Sequence, residues 1–160
     1  MTPYVKSIVD NLMDKKVFFD FDGTLCECRY GNFCSVVAGK KSTFLEACVF
    51  TNPYEIAKPI CIMQEVVKAL NPDNVYILGR TSGSIENKYK EKFLNKHFPS
   101  IKNENMIFVN TAEDKCIFLD RLSDKYDKEK LVLIEDDFAT IIKAELEYNL
   151  NCYHISSFMN

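Results

Sequence analysis

A chain of 160 residues, 47% hydrophobic and 27% charged, is long enough for one domain with its own core and has the composition of a soluble globular protein. Its net charge of −3 leaves no overall basic surface, which argues against nucleic acid as a partner, and no apolar run is long enough to span a bilayer. The N-terminus, Met1-Thr2-Pro3-Tyr4-Val5-Lys6, lacks a signal-peptide pattern, so the seven cysteines read as reduced thiols of a cytoplasmic protein.

Thr2-Pro3 reads as an N-cap followed by proline in the first turn, and Val5, Ile8, Val9 and Leu12 recur at helical spacing, predicting a helix to about Asp14. Val17-Phe18-Phe19 is a short apolar run of the kind that forms a buried strand. It leads into Asp20-Phe21-Asp22 and then Gly23-Thr24-Leu25, where glycine permits a tight exit. Side chains two apart on a strand share a face, so Asp20 and Asp22 begin on the same side, with the turn free to swing the second away. Two ionised carboxylates this close repel, and a hard divalent cation resolves the conflict.

Residues 26–58 are the least regular stretch. Cys26, Cys28 and Cys34 cluster there and read as loop or core cysteines, because His97 and His154 are too distant in sequence to complete a metal site. Arg29-Tyr30-Gly31-Asn32 carries a turn signal, and Phe33 to Val37 can pair back as a hairpin. Thr43-Phe44-Leu45-Glu46 fits a capping box opening a helix to about Phe50, which Asn52-Pro53 ends. About thirty residues are too few for an independent domain. The expectation is a single domain over 1–160 with a small flap- or cap-like insert at 26–58.

Beyond Pro59, Ile60, Met63, Val66, Val67 and Leu70 predict a second amphipathic helix, with a turn at Asn71-Pro72-Asp73-Asn74. Val75-Tyr76-Ile77-Leu78 is a second buried strand, followed by Gly79-Arg80-Thr81-Ser82-Gly83. Ile85, Tyr89, Phe93 and Leu94 then give the apolar face of a helix that stops by His97. Thr81 or Ser82 would cap it, and a helix N-terminus also suits phosphate. Arg80 is a phosphate candidate through its planar fork, or a solvated arginine.

Met106–Val109 is a third strand. Thr111 and Asp114 resemble the start of a capped helix whose apolar face is Cys116, Phe118, Leu119 and Leu122. Lys115 sits in its first turn, where a cation opposes the helix dipole and so calls for a partner anion. Leu131–Ile134 is a fourth buried strand, ending in Glu135-Asp136-Asp137, and Phe138, Ile141, Ile142 and Leu146 mark the next helix. Asn151–Ile155 completes the set as an edge strand, with His154 read as structural. Cys61, Cys116 and Cys152 lie in apolar stretches and read as small core residues.

Strands alternating with helices imply right-handed crossovers and a three-layer α/β, Rossmann-like domain. The expected sheet has five mostly parallel strands, with the first between the second and the fourth. Ligands bind at the carboxyl ends of strands in such sheets, so both acidic clusters should meet there.

The string from Val17 to Leu25 resembles the first motif of the haloacid dehalogenase (HAD) superfamily, Asp-x-Asp-Gly-Thr after an apolar strand. The likeness covers nearly the whole chain, and its type is a small-cap or capless phosphatase. It implies that Asp20 is a nucleophile forming an aspartyl-phosphate and that Asp22 is the general acid and base. It further implies Mg²⁺ held by Asp20, by the backbone carbonyl of Asp22 and by Asp136, with Glu135 or Asp137 beside it, and Gly23 and Thr24 against the phosphate. The third motif of that family is a lysine at about Lys115. The second is a Ser or Thr at the end of the second strand, where this chain has Gly79; Thr81 or Ser82 would serve if the strand end is offset. Gly79, Arg80 and Thr81 are therefore the substrate-binding candidates there.

The expectation is a Mg²⁺-dependent phosphomonoester hydrolase acting on a small phosphorylated substrate. One alternative is a phosphatase of nucleotides or nucleic-acid ends, which an open site would admit. Another is a non-catalytic metal- or phosphate-binding module, motivated by Gly79. The site would be open, or closed by the insert or by a second subunit of a homo-oligomer.

Overall fold

The structure, a computed structural model, describes residues 1–27, 48–49 and 51–159. Five strands, β1 (Lys16–Phe19), β2 (Val75–Arg80), β3 (Met106–Val109), β4 (Leu131–Glu135) and β5 (Asn151–His154), form one sheet in the order β3-β2-β1-β4-β5. All pairings are parallel, and β1 lies between β2 and β4, with Phe19 level with both Ile77 and Ile134. Among the described residues, these helices connect and flank them: α1 (Pro3–Leu12), α2 (Cys61–Ala69), α3 (Ser84–His97), α4 (Ala112–Leu122) and α5 (Phe138–Tyr148).

Alternation along the strands builds the three layers. Val17, Phe19, Ile77, Val132 and Ile134 pack with Val5, Ile8 and Val9 of α1, Met63 and Val66 of α2, and Phe93 and Leu94 of α3. Phe18, Leu78, Leu131 and Leu133 point the other way, against Cys116 and Leu119 of α4 and Ala144 of α5. Because both faces of β1 and β4 are covered, their sequences read as continuous apolar runs rather than as alternation.

Local capping is as the sequence suggests at two helices. The Thr2 side chain accepts from the Val5 amide, and Thr111 and Asp114 form a reciprocal capping box on α4. Elsewhere the structure departs from the expected faces. Ile85 is 45% exposed, and the buried side of α3 is Glu86, Lys90, Phe93 and Leu94. On α5, Phe138, Ile142 and Leu146 are 61%, 54% and 82% exposed, whereas Ile141 and Ala144 are buried. The apolar residues of α5 occupy two stripes, and residues four apart share one of them. Only the docking of the helix on the sheet decides which stripe is covered. Cys61 is exposed at the start of α2, not a core residue, while Cys116 is buried and Cys152 is partly buried.

The two ends of the 26–58 insert are tied side by side. The Glu27 amide donates to the Lys58 carbonyl at 2.8 Å, and the Ile60 amide donates to the Leu25 carbonyl at 2.9 Å. The expected turn at 29–32, the hairpin at 33–37, Cys28 and Cys34 lie outside the described residues. So does the expected helix from Thr43 to Phe50, apart from Cys48 and Val49, which are helical.

Candidate functional site

The carboxyl ends of β1 and β4 bring four charged side chains together. The Asp20 amide donates to the Ile134 carbonyl at 2.9 Å, which sets the end of β1 beside the end of β4. Lys115 reaches in from the first turn of α4. Its Nζ donates to Asp20 Oδ1 at 2.5 Å and to Glu135 Oε2 at 2.6 Å. Lys115 is 1% exposed, Asp20 5% and Glu135 1%, so this ion pair is shielded from water. The other Glu135 oxygen accepts from the backbone amides of Asp136 and Asp137 at 3.2 and 3.4 Å.

Carboxylate oxygens of Asp20, Glu135 and Asp136 all lie within 4.8 Å of one another. Burial raises Asp20 to about 7; Lys115 opposes that shift, and the charges of Glu135 and Asp22 reinforce it. Burial likewise raises Glu135 against the pull of Lys115, and raises Asp136 together with the neighbouring Asp20 charge. Lys115 is held above its ordinary value, because the Asp20 and Glu135 carboxylates outweigh the desolvation that disfavours its charge. Three carboxylates share one ammonium, and hard oxygen donors in this number suit a divalent cation such as Mg²⁺.

Gly23 makes room for that arrangement. Its φ is +81°, a conformation that L side chains rarely adopt, and a Cβ there would fall 2.0 Å from Asp136 Oδ2. The turn after β1 thus allows the Asp136 carboxylate to close over it. Thr24 is fully buried, and its hydroxyl has no hydrogen-bond partner among the described residues. Asp137 faces elsewhere: it caps α5, accepting from the Ala139 and Thr140 amides and from the Thr140 hydroxyl, at 3.2, 3.2 and 2.6 Å. Of the two acids left open beside Asp136, the structure brings in Glu135 and not Asp137.

Asp22 does not share the pocket of Asp20. Its Oδ2 accepts from Lys90 Nζ at 2.7 Å, and its Oδ1 accepts from the Tyr54 hydroxyl at 3.3 Å. Lys90 is also 2.9 Å from Glu86 Oε1 and donates to the Arg80 carbonyl at 2.5 Å. The Tyr54 hydroxyl shares its one proton between Asp22 Oδ1 and Glu86 Oε1, which lies 2.9 Å away, and the Ser82 amide donates to Glu86 Oε2 at 2.7 Å. Desolvation works against the Lys90 charge, but the Asp22 and Glu86 carboxylates raise its pKa overall. Sequence reasoning missed Lys90, Glu86 and Tyr54. A Glu-x-x-x-Lys pair on a helix carrying Lys88 and Lys92 reads as a solvated face.

The end of β2 is offset from the apolar run that announced it. The strand continues through Gly79 and Arg80. A Cβ at Gly79 would lie 3.1 Å from Phe21 Cβ and 3.5 Å from the Phe108 ring, so this glycine admits the close approach of neighbouring strands rather than exposing backbone to a ligand. The Arg80 side chain is exposed. Thr81 is buried, and its hydroxyl exchanges hydrogen bonds with the Gly83 amide and carbonyl, both at 3.1 Å. Neither Thr81 nor Ser82 is the N-cap of α3; Gly83 is, without a side-chain cap.

His154, at the end of β5, supports the Asp136 loop. Its Nδ1 accepts from the Ser156 amide at 3.2 Å, which leaves the ring proton on Nε2 to donate to the Asp136 carbonyl at 2.9 Å. Phe138 stacks on the His154 ring with centroids 4.0 Å apart and planes 14° apart.

No protein-family model matches this chain, and no curated protein matches it.

Proposed function

We propose that the protein is a Mg²⁺-dependent phosphomonoester hydrolase of the HAD-like type, working through an aspartyl-phosphate on Asp20. The observation that carries this reading is the buried meeting of Asp20 with Lys115, beside Glu135 and Asp136. A stability role alone does not account for three strand-end carboxylates around one ammonium, since buried charge of that kind costs more than apolar packing.

A Mg²⁺ ion bound by Asp20, Glu135 and Asp136 would offset the negative charge of a phosphate group at this site. The Asp20 carboxylate oxygen attacks phosphorus, forming an O–P bond as the ester P–O bond breaks. Lys115 opposes the effect of burial on Asp20, which favours its ionised form, and draws charge from the phosphoryl oxygens. Asp22, having taken up a proton from solvent as it leaves Lys90, gives that proton to the leaving oxygen. It then takes one from the water that cleaves the aspartyl-phosphate, which releases phosphate and restores Asp20. Among the described residues the Thr24 hydroxyl has no hydrogen-bond partner and is a candidate donor to a phosphate oxygen, whereas the Thr81 hydroxyl already donates to the Gly83 carbonyl.

Turnover of an aryl phosphate, measured with Mg²⁺ and with excess chelator, tests the reading. Metal-dependent hydrolysis that disappears in Asp20→Asn is the expected result. Retained turnover in Asp20→Asn would sink it. Phosphate or metal binding without turnover would instead favour a binding module.

One observation favours a nucleotide over a sugar phosphate as substrate. Phe138 is 61% exposed two residues from Asp136, and its ring is stacked on that of His154, whose Nε2 donates to the Asp136 carbonyl. Planar groups stack on exposed aromatic rings. Nucleoside monophosphates should then be turned over with lower KM than sugar phosphates, and Phe138→Ala should remove the difference.

A further inference from the structure

Asp22 is turned away from the acidic pocket, and both of its carboxylate oxygens are held. The group holding Oδ2 is a lysine whose side chain is only 1% exposed, and the group holding Oδ1 is a tyrosine that is 3% exposed. Burying an ammonium so completely carries a desolvation penalty that partner anions must offset. A leucine or methionine at position 90 would fill the same space on α3 without that cost. Packing therefore does not explain Lys90.

We infer that Lys90 is a positioning residue for Asp22 and that, with Tyr54, it aims the Asp22 carboxyl group for proton transfer to the leaving oxygen. This inference rests on the reading of Asp22 as the proton donor. Redundancy in the network is what separates it from a static clamp. Glu86 Oε1 lies 2.9 Å from Lys90 Nζ and 2.9 Å from the Tyr54 hydroxyl. When Asp22 rotates toward a substrate, neither the buried ammonium nor the buried hydroxyl is stranded, because Glu86 and the Arg80 carbonyl still satisfy Lys90. Glu86 is itself fixed by the Ser82 amide, at the turn that ends β2. Tyr54 sits in the 3-10 turn Pro53–Glu55, within the closing end of the insert, and its ring packs edge-on to Phe21 between the two acids. The orientation of Asp22 is thus set jointly by α3 and by the turn that carries Tyr54.

The proton that Asp22 delivers goes to the ester oxygen as its bond to phosphorus breaks. A poor leaving group such as phenolate needs that proton, and 2,4-dinitrophenolate does not. The test compares kcat/KM, which reports events up to leaving-group departure, for phenyl phosphate and for 2,4-dinitrophenyl phosphate. Lys90→Met should lose about 10- to 100-fold with phenyl phosphate and less than about threefold with the dinitrophenyl ester. Asp22→Asn should give the same selective pattern, and the double variant should be no slower than Asp22→Asn alone. Tyr54→Phe, which removes one hydroxyl, should show the same selectivity at smaller size, and it stands in if Lys90→Met does not fold. Equal losses on both esters, or losses that multiply in the double variant, would overturn the inference and leave the phosphatase reading intact. A wild-type protein that hydrolyses neither ester would overturn the phosphatase reading, and the inference with it.

Discussion

A Cβ on Gly23 would lie 2.0 Å from Asp136 Oδ2, although 113 positions separate the two residues in the chain (136 − 23). The turn after β1 and the loop after β4 therefore close on each other at a point where only a hydrogen atom fits. Gly23→Ala should turn the Asp136 carboxylate out of the cluster and strain the backbone at φ +81°. A destabilisation of about 1–3 kcal/mol is expected. Urea unfolding measures it, and calorimetric titration with Mg²⁺ should show weakened binding. Unchanged stability and unchanged binding would contradict the close approach.

Removing Lys115 leaves Asp20 and Glu135 buried against each other. Breaking a buried ion pair from one side costs about 3–5 kcal/mol. Lys115→Met should be destabilised on that scale at pH 7, and added Mg²⁺ should restore part of the loss by supplying the missing positive charge. Denaturation midpoints with and without the metal give both numbers.

Burial raises Asp20 from its ordinary value of 3.8 to about 7. A raised folded-state pKa means that the folded protein holds a proton which the unfolded chain releases between these values. The contribution of Asp20 to stability is therefore fully present below about pH 4 and is lost as pH rises through about 7. Asp20→Asn has no such titration. Its melting temperature relative to the wild type should rise from pH 4 to pH 7 without metal, and saturating Mg²⁺ should reverse that trend by favouring the ionised wild-type carboxylate. A difference that stays flat across this range would contradict the burial effect.

Asp137 carries the cap of α5, and its hydrogen bond from the Thr140 hydroxyl holds its carboxyl below the usual carboxylate range. A lowered folded-state pKa contributes stability that is present above the unfolded value of 3.8 and is lost as pH falls through the folded one. Asp137→Ala should cost about 1 kcal/mol at pH 7 and less below pH 4, whereas Asp137→Asn, which still caps, should cost little. Thermal melts of the two variants at both pH values check this. Metal binding should survive both changes, because Asp137 faces the helix and not the cluster.

The elements were legible because their signals are local. Strand ends, caps and helix spacing depend on neighbours within a turn or two, and Val17–Phe19, Leu131–Ile134 and the Thr111 capping box illustrate this. Alternation of strands and helices was enough to derive a parallel sheet, and that in turn led both acidic strand ends to one edge.

What lay beyond reach of the sequence is a matter of direction and of long-range pairing. Glu135 and Asp137 are two residues apart and chemically alike, yet one turns inward to Lys115 and the other caps α5, because the chain leaves β4 between them. The exposed stripe of Phe138, Ile142 and Leu146 is as apolar as the buried side of α5, so only its docking on the sheet tells them apart. Lys115 meets Asp20 across 95 positions, and Lys90 meets Asp22 across 68. By itself the sequence determined the elements, the layers and the two acidic strand ends, since periodicity and turn chemistry act over a few residues. Only the tertiary structure decided which charges are buried and with whom, since a buried ion pair exists by virtue of the walls that packing builds around it.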